Sequence, residues 1–319
     1  MMKKCVILDD YQDAALRMAD WSALSDRIEV RALREHIEDQ DALVAAIADA
    51  EIVVIMRERT PFRAALLERL PALRLLITSG MRNASIDVAA ATARGVTVCG
   101  TASSSEPPTE LTWALILGLA RQLVVENTAL RNAGPWQSTI GADLHGRRLG
   151  LLGLGKIGSR VATIGKAFGM DICAWSPNLT KERADAAGVA LAPSKEALLE
   201  SCDFVSIHLV LGERTRHLVG AAELTRMKPG AYLINTSRAA IVDQDALIDA
   251  LAAGRIAGAG LDVFDIEPLP ATHPFRTLPN VLATPHLGYV SAKNYTAYFG
   301  EAIEDIEAWL RGAPIRQLG

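Results

Sequence analysis

Three residues with anion- or proton-handling side chains stand at the ends of apolar runs in the second half of the chain. Arg238 closes the run Asn235-Thr236-Ser237-Arg238 after the strand-like residues 231–234. Glu267 sits in 262–268, after the apolar residues 259–261, and His286 sits in 284–288, after 281–283. A guanidinium is a planar fork that matches a carboxylate. An imidazole beside a carboxylate can pass a proton near neutral pH. In an open α/β sheet, ligands lie beyond the carboxyl ends of the strands. The three side chains are therefore expected to converge on one ligand.

A second signal lies upstream. Residues 148–158 read RLGLLGLGKIG, an apolar strand that ends in Gly153-Leu154-Gly155-Lys156-Ile157-Gly158. Gly153 permits a tight turn, Gly155 lets a pyrophosphate approach the backbone, and Gly158 lets helix and strand pack closely. The helix expected over 159–168 would offer its N-terminal N–H groups to phosphates. A further strand over 171–175 follows, which is the context that a dinucleotide turn requires. Ser176 stands where an NAD-specific site usually places a carboxylate for the adenine ribose. Without that charge a 2′-phosphate meets no repulsion. Asn178, Thr180 and Lys181 are near enough to contact one, so use of both NAD and NADP is expected.

The elements that must position these residues alternate almost from end to end. Strands are expected at 6–8, 28–32, 52–56, 73–78 and 96–99, with helices at 39–48, 62–70 and 86–94 between them. This rhythm implies a parallel sheet covered on both faces. It breaks at 100–108, GTASSSEPP, which reads as a linker. A long apolar helix is expected over 109–131 and a loop over 133–146. A second βα series then runs from 148 to about 283, and a last amphipathic helix spans 291–311. The arrangement predicted is α/β, with two doubly wound parallel-sheet domains. A Rossmann dinucleotide domain, 102–287, is inserted into a flavodoxin-like domain made of 1–101 and 288–319. The linkers near 101 and 287 are expected to act as hinges that close a cleft between the domains.

Composition excludes several classes. The net charge is −4 and Lys and Arg are scattered, so no basic stripe for nucleic acid is present. No apolar run approaches the ~18 residues of a membrane span. The N-terminal residues lead directly into a strand without a leader-like apolar region. The four cysteines, Cys5, Cys99, Cys173 and Cys202, form no close pair in sequence and lie in or at the ends of apolar runs. They read as buried free thiols of a cytoplasmic protein, and no metal site is expected. His36, His145, His217 and His273 read as ordinary loop or surface histidines.

Taken together, these motifs resemble the D-isomer-specific 2-hydroxyacid dehydrogenases, the family of phosphoglycerate, glyoxylate/hydroxypyruvate and D-lactate dehydrogenases. The resemblance spans nearly the whole chain and is strongest over 149–158, 227–243, 258–268 and 284–288. It implies hydride transfer between a nicotinamide and a small 2-keto or 2-hydroxy acid. The family's catalytic Arg, Glu and His fall on Arg238, Glu267 and His286. The resemblance assigns substrate orientation to Arg238, general acid and base work to His286, and tuning of that histidine to Glu267. It adds cofactor contacts at His208, Thr236, Ser237, Arg238, Asp262, His286 and Gly288 to those of Gly153, Gly155, Lys156, Ile157, Gly158 and Ser176. It implies substrate contacts at Arg57, at the backbone of Ser79, Gly80 and Met81, and at Arg238 and His286. Relatives also imply a homodimer built on the helix over 109–131.

Two segments depart from the family pattern. Pro108-Thr109-Glu110 replaces Val-Ala-Glu, and Ala239 replaces the Gly after the arginine. With no regulatory domain expected after residue 319, a serine-feedback phosphoglycerate dehydrogenase is disfavoured. An NADH-sensing corepressor-like binding protein is the competing expectation on this fold, and formate dehydrogenase the competing enzyme.

Overall fold

The computed structural model describes residues 2–319. It contains two compact units, one made of the residues through Ser104 with Val290–Gly319, the other of Ser105–Tyr289.

The first unit holds β1 (Lys3–Ile7), β2 (Ile28–Ala32), β3 (Ile52–Ile55), β4 (Leu75–Thr78) and β5 (Thr97–Gly100). All pair in parallel, in the order β2-β1-β3-β4-β5. β3 and β4 read IVVI and LLIT and are buried at every position. Such continuous apolar runs suit central strands covered on both faces. The crossovers carry α1 (Ala15–Met18), α2 (Gln40–Ile47), α3 (Ala64–Glu68) and α4 (Val88–Ala93). Asp39 and Asp87 cap α2 and α4, accepting from Ala42 N at 2.7 Å and Ala90 N at 2.9 Å. Each cap contributes about 1 kcal/mol. The two helices are thus shorter than the stretches 39–48 and 86–94, because the cap residues stand just outside them.

The second unit opens with α5 (Glu106–Ala120) and α6 (Leu123–Arg131). The single helix expected over 109–131 is therefore two. Gln122 takes a left-handed conformation, φ 51°, which breaks the helix. The expected linker 100–108 is shorter too, because α5 begins at Glu106. Pro107 and Pro108 fall in its first turn, where a missing N–H costs no intrahelical bond. The sheet follows: β6 (Arg148–Leu152), β7 (Asp171–Trp175), β8 (Ala190–Leu191), β9 (Phe204–Ile207), β10 (Tyr232–Asn235), β11 (Gly258–Leu261) and β12 (Val281–Ala283). α7 (Lys156–Ala167), α8 (Lys181–Ala186), α9 (Lys195–Ser201), α10 (Ala221–Arg226) and α11 (Gln244–Ala252) are interleaved with these strands.

The order is β12-β11-β10-β9-β6-β7-β8, all parallel. Pairing aligns Ala283, Leu261, Asn235, Ile207, Leu152 and Trp175 in one row across the sheet. The segments that follow these residues therefore leave the sheet at one edge, side by side. β6 and β9 are neighbours from which the chain winds in opposite directions. That is the crevice where doubly wound sheets take dinucleotides.

The last helix, α12 (Ala292–Leu310), belongs to the first unit and buries Tyr295, Tyr298, Phe299, Ala302, Ile303 and Ile306. Its buried Asp305 pairs with Arg316 at 2.9 Å. The tail beyond it pairs with β5 through Leu318 N to Val98 O, 2.8 Å. Among the described residues no helix is long and apolar enough to cross a membrane, and no cluster of His, Cys, Asp or Glu could hold a metal ion.

Candidate active site

The glycine turn is built by what surrounds it. Gly153 has φ 106°, and a Cβ there would lie 2.6 Å from His208 O, so no L side chain fits. A Cβ on Gly158 would run into Gly153 O. Gly155 differs, since a Cβ there would meet nothing within 4 Å. The space before Gly155 is open at the N-terminus of α7, whose N-cap makes no side-chain hydrogen bond. Twelve residues of helix stand behind that end. Open space, uncapped N–H groups and the positive end of a helix dipole together suit a pyrophosphate. A nicotinamide dinucleotide therefore fits the residues present. α7 starts at Lys156 rather than 159, so Lys156, Ile157 and Gly158 form its first turn.

His208, after β9, contributes mainly through its backbone, which packs on Gly153. Its Nε2 lies 2.9 Å from Ser206 Oγ, and burial pushes its pKa down to about 4. Desolvation therefore favours the neutral form of this ring.

His286 is held differently. Its Nδ1 lies 2.6 Å from Glu267 Oε2, and Glu267 Oε1 accepts from Phe264 N at 2.9 Å. Both carboxylate oxygens are thereby fixed. An Nδ1–H donated to Glu267 leaves Nε2 for chemistry. Tyr289 meets the imidazole edge-on, with centroids 5.5 Å apart. The His286 backbone has φ 53°, a conformation that costs a non-glycine residue about 1–3 kcal/mol unless its surroundings impose it.

The imposing group is Asp262. Its Oδ1 accepts from Thr284 Oγ1 and from Leu287 N, both at 2.7 Å, and its Oδ2 accepts from Gly288 N at 2.8 Å. One buried carboxylate thus clamps the loop on both sides of His286. Burial raises the Asp262 pKa, against the pull of these donors. Asp262 and Gly288, expected as cofactor contacts, spend these groups on each other.

Arg238 leaves β10 through an Asx turn. Asn235 Nδ2 donates to Arg238 O at 2.9 Å, while Asn235 Oδ1 accepts from Ser237 N at 3.0 Å. Arg238 Nη1 donates to Ser237 O at 2.7 Å. Ser237 Oγ donates to Leu209 O at 2.5 Å, and Thr236 Oγ1 lies 2.8 Å from Thr112 Oγ1. The Ser237 hydroxyl thus joins two loops, and the Thr236 hydroxyl joins its loop to α5. Asn235, Thr112, Ser206 and Tyr289 were not singled out by sequence. Only Asn235, a turn-forming residue at a strand end, carries a local signal.

After β7, Thr180 caps α8 and Lys181 lies against Asp185 at 2.7 Å. Leu179 N donates to Ser176 O at 3.1 Å, which curls the segment into a turn.

In the first unit, Arg57, Ser79 and Gly80 form one cluster. Arg57 has φ 55°, its N–H donates to Ser79 Oγ at 2.9 Å, and its Nη1 reaches Ser79 O at 3.3 Å. A Cβ on Gly80 would collide with Arg57 Nη1, so the guanidinium lies against the glycine. The N–H groups expected to face a substrate are partly engaged: Ser79 N donates to Ile55 O and Gly80 N to Thr101 Oγ1, both at 3.1 Å. Met81 is exposed, and its N–H has no partner among the described residues.

Comparisons with known proteins follow the same lines. The model of the D-isomer specific 2-hydroxyacid dehydrogenase NAD binding domain matches residues 113–288. A glyoxylate reductase of Korarchaeum cryptofilum is 37% identical over 87% of this chain and 82% of its own length. A D-3-phosphoglycerate dehydrogenase of Methanocaldococcus jannaschii is 36% identical over 86% of the chain, which spans only 52% of that relative. The crystal structure of a phosphoglycerate oxidoreductase from Vibrio cholerae superposes with a TM-score of 0.93 at 36% identity. That match covers 98% of this chain and all of the other.

Proposed function

The chain belongs to the D-isomer specific 2-hydroxyacid dehydrogenase family, and from that premise we propose that it interconverts a small 2-keto acid and its D-2-hydroxy acid, with His286 as general acid and base. The observation that carries this reading is the His286–Glu267 pair, 2.6 Å apart, at the sheet edge that also bears Arg238 and the glycine turn. A bound nicotinamide supplies or accepts the hydride. His286 Nε2 gives a proton to the carbonyl oxygen in reduction and takes it from the hydroxyl in oxidation. Glu267 holds the ring through Nδ1 and fixes its orientation. Arg238 orients the substrate carboxylate. Asp262 fixes the loop on which His286 stands. Arg57 and the Met81 N–H are read as further contacts of the acid group.

The coenzyme reading is dual use of NAD and NADP, supported by the absence of a carboxylate at Ser176. We also infer a homodimer. α5 buries Trp113, Leu115, Ile116 and Leu119 within its own unit, whereas α6 buries none of its residues. Leu123, Val124, Leu130, Trp136 and Ile140 are exposed on α6 and the segment after it. The inferred contact is thus α6 with that segment, rather than the whole 109–131 stretch. The deciding assay is a panel of 2-keto acids, glyoxylate among them, reduced with NADH and NADPH and followed by nicotinamide absorbance. Turnover of none, with coenzyme binding intact, would favour the corepressor-like alternative.

A further inference from the structure

We propose that Asn83 is a positioning residue that sets substrate affinity by holding Arg57 in its left-handed conformation. The proposal rests on the reading of Arg57 as a substrate contact. Arg57 lies in the turn two residues after β3 with φ 55°, a backbone state that a β-carbon disfavours. Its side chain direction depends on that state. With the backbone turned this way, the guanidinium lies against Gly80 and reaches Ser79 O.

Two side chains of the segment after β4 hold the turn. Ser79 Oγ accepts from Arg57 N at 2.9 Å, and Asn83 Nδ2 donates to Arg57 O at 2.6 Å. The peptide groups on either side of the strained Cα are therefore both pinned. Asn83 is itself saturated. Its second N–H donates to Thr78 Oγ1 at 2.9 Å, and its Oδ1 accepts from Ser85 N at 2.9 Å and Ser85 Oγ at 2.6 Å. A side-chain amide offers two donors and two acceptor lone pairs, and all four are used here. This pattern also determines which amide atom is nitrogen, since a flipped amide would set oxygen against Arg57 O. An Asx turn over Ser85 fixes the side chain from its own loop. Asn83 therefore joins the ends of β3 and β4 as a rigid strut. An aspartate has the same shape but no N–H, and it would place an acceptor against the Arg57 carbonyl.

The test is Asn83→Asp alone, Arg57→Ala alone and the two combined, assayed with the best 2-keto acid of the panel. Asn83→Asp should raise KM for that acid about tenfold, the equivalent of one charge-assisted hydrogen bond. The coenzyme KM and kcat should stay near those of the wild type. In the Arg57→Ala background the same change should add nothing, because its effect passes through Arg57. An equal increase of KM in both backgrounds overturns the proposal and leaves Asn83 a structural residue. If Arg57→Ala itself leaves KM unchanged, the substrate role of Arg57 fails, and the proposal with it. Should Asn83→Asp not fold, Asn83→Gln, whose longer side chain cannot keep the Asx turn over Ser85 and the bond to Arg57 O together, must show the same non-additivity with Arg57→Ala.

Discussion

His286 and His208 show how environment separates two histidines on one sheet edge. His208 is half-buried beside a hydroxyl, and desolvation pushes its pKa down to about 4. His286 has a carboxylate at 2.6 Å from Nδ1, which fixes the ring and leaves Nε2 free to face a ligand. His286→Gln should bind coenzyme nearly normally and lose roughly 10²–10⁴-fold in keto-acid reduction, the usual worth of general acid catalysis. A variant with near-native kcat would remove His286 from the mechanism. Arg238 poses a geometric question rather than one of charge. Arg238→Lys keeps the charge but cannot reproduce the planar fork, so both kcat and KM should worsen. Equal performance by lysine would show that a point charge is enough.

At the scale of elements, the segment after β7 carries the test of the proposed dual coenzyme use. Thr180 serves as a helix cap and Lys181 rests on Asp185, so neither is committed to a phosphate. Wild-type efficiencies with NADH and NADPH should lie within about two orders of magnitude, ~3 kcal/mol. Ser176→Asp should shift the preference to NADH by repelling a 2′-phosphate. Strong rejection of NADPH by the wild type would mean that other residues make the choice.

The C-terminal helix supplies a pH test. Asp305 is fully buried on α12, facing Arg316, Glu301 and Glu304. Burial raises its pKa from 3.8 to about 7 despite the arginine. The fold thus favours the protonated form. Stability from this group is complete below its unfolded pKa and falls as pH rises towards 7. Asp305→Asn should therefore gain melting temperature relative to the wild type between about pH 4 and about pH 8. A difference that is flat or falls across that window would contradict the assignment.

For the whole molecule, the exposed apolar surface is the feature that most needs a partner. Trp136 is 80% exposed and Ile140 is 99% exposed, near Leu123 at 55% and Leu130 at 60%. Leu123 and Leu130 are seven residues apart and share one face of α6. These are the side chains that the proposed dimer contact would cover. Replacing both leucines with glutamate should convert a dimer to a monomer in light scattering. A wild type that is already monomeric would sink the homodimer reading.

Much of this molecule was legible in the sequence, because the relevant signals are local. Apolar runs of strand length and amphipathic runs of helix length are set by side-chain periodicity over a few residues. The glycine turn is six consecutive residues, and the strand-end positions of Arg238, Glu267 and His286 follow from the runs before them. The tertiary structure decided the contacts between distant segments. The Asp262 clamp joins residues more than twenty positions apart, and Asn83 reaches Arg57 across 26. Gln122 breaks a continuous apolar pattern by its backbone conformation alone. Cys173 and Cys202, 29 positions apart, come to rest with their sulfurs 3.4 Å from each other. Hydrogen bonds of this range leave no period in the chain, since either partner alone is an ordinary polar residue. They exist only once parallel pairing has brought the strand ends into one row.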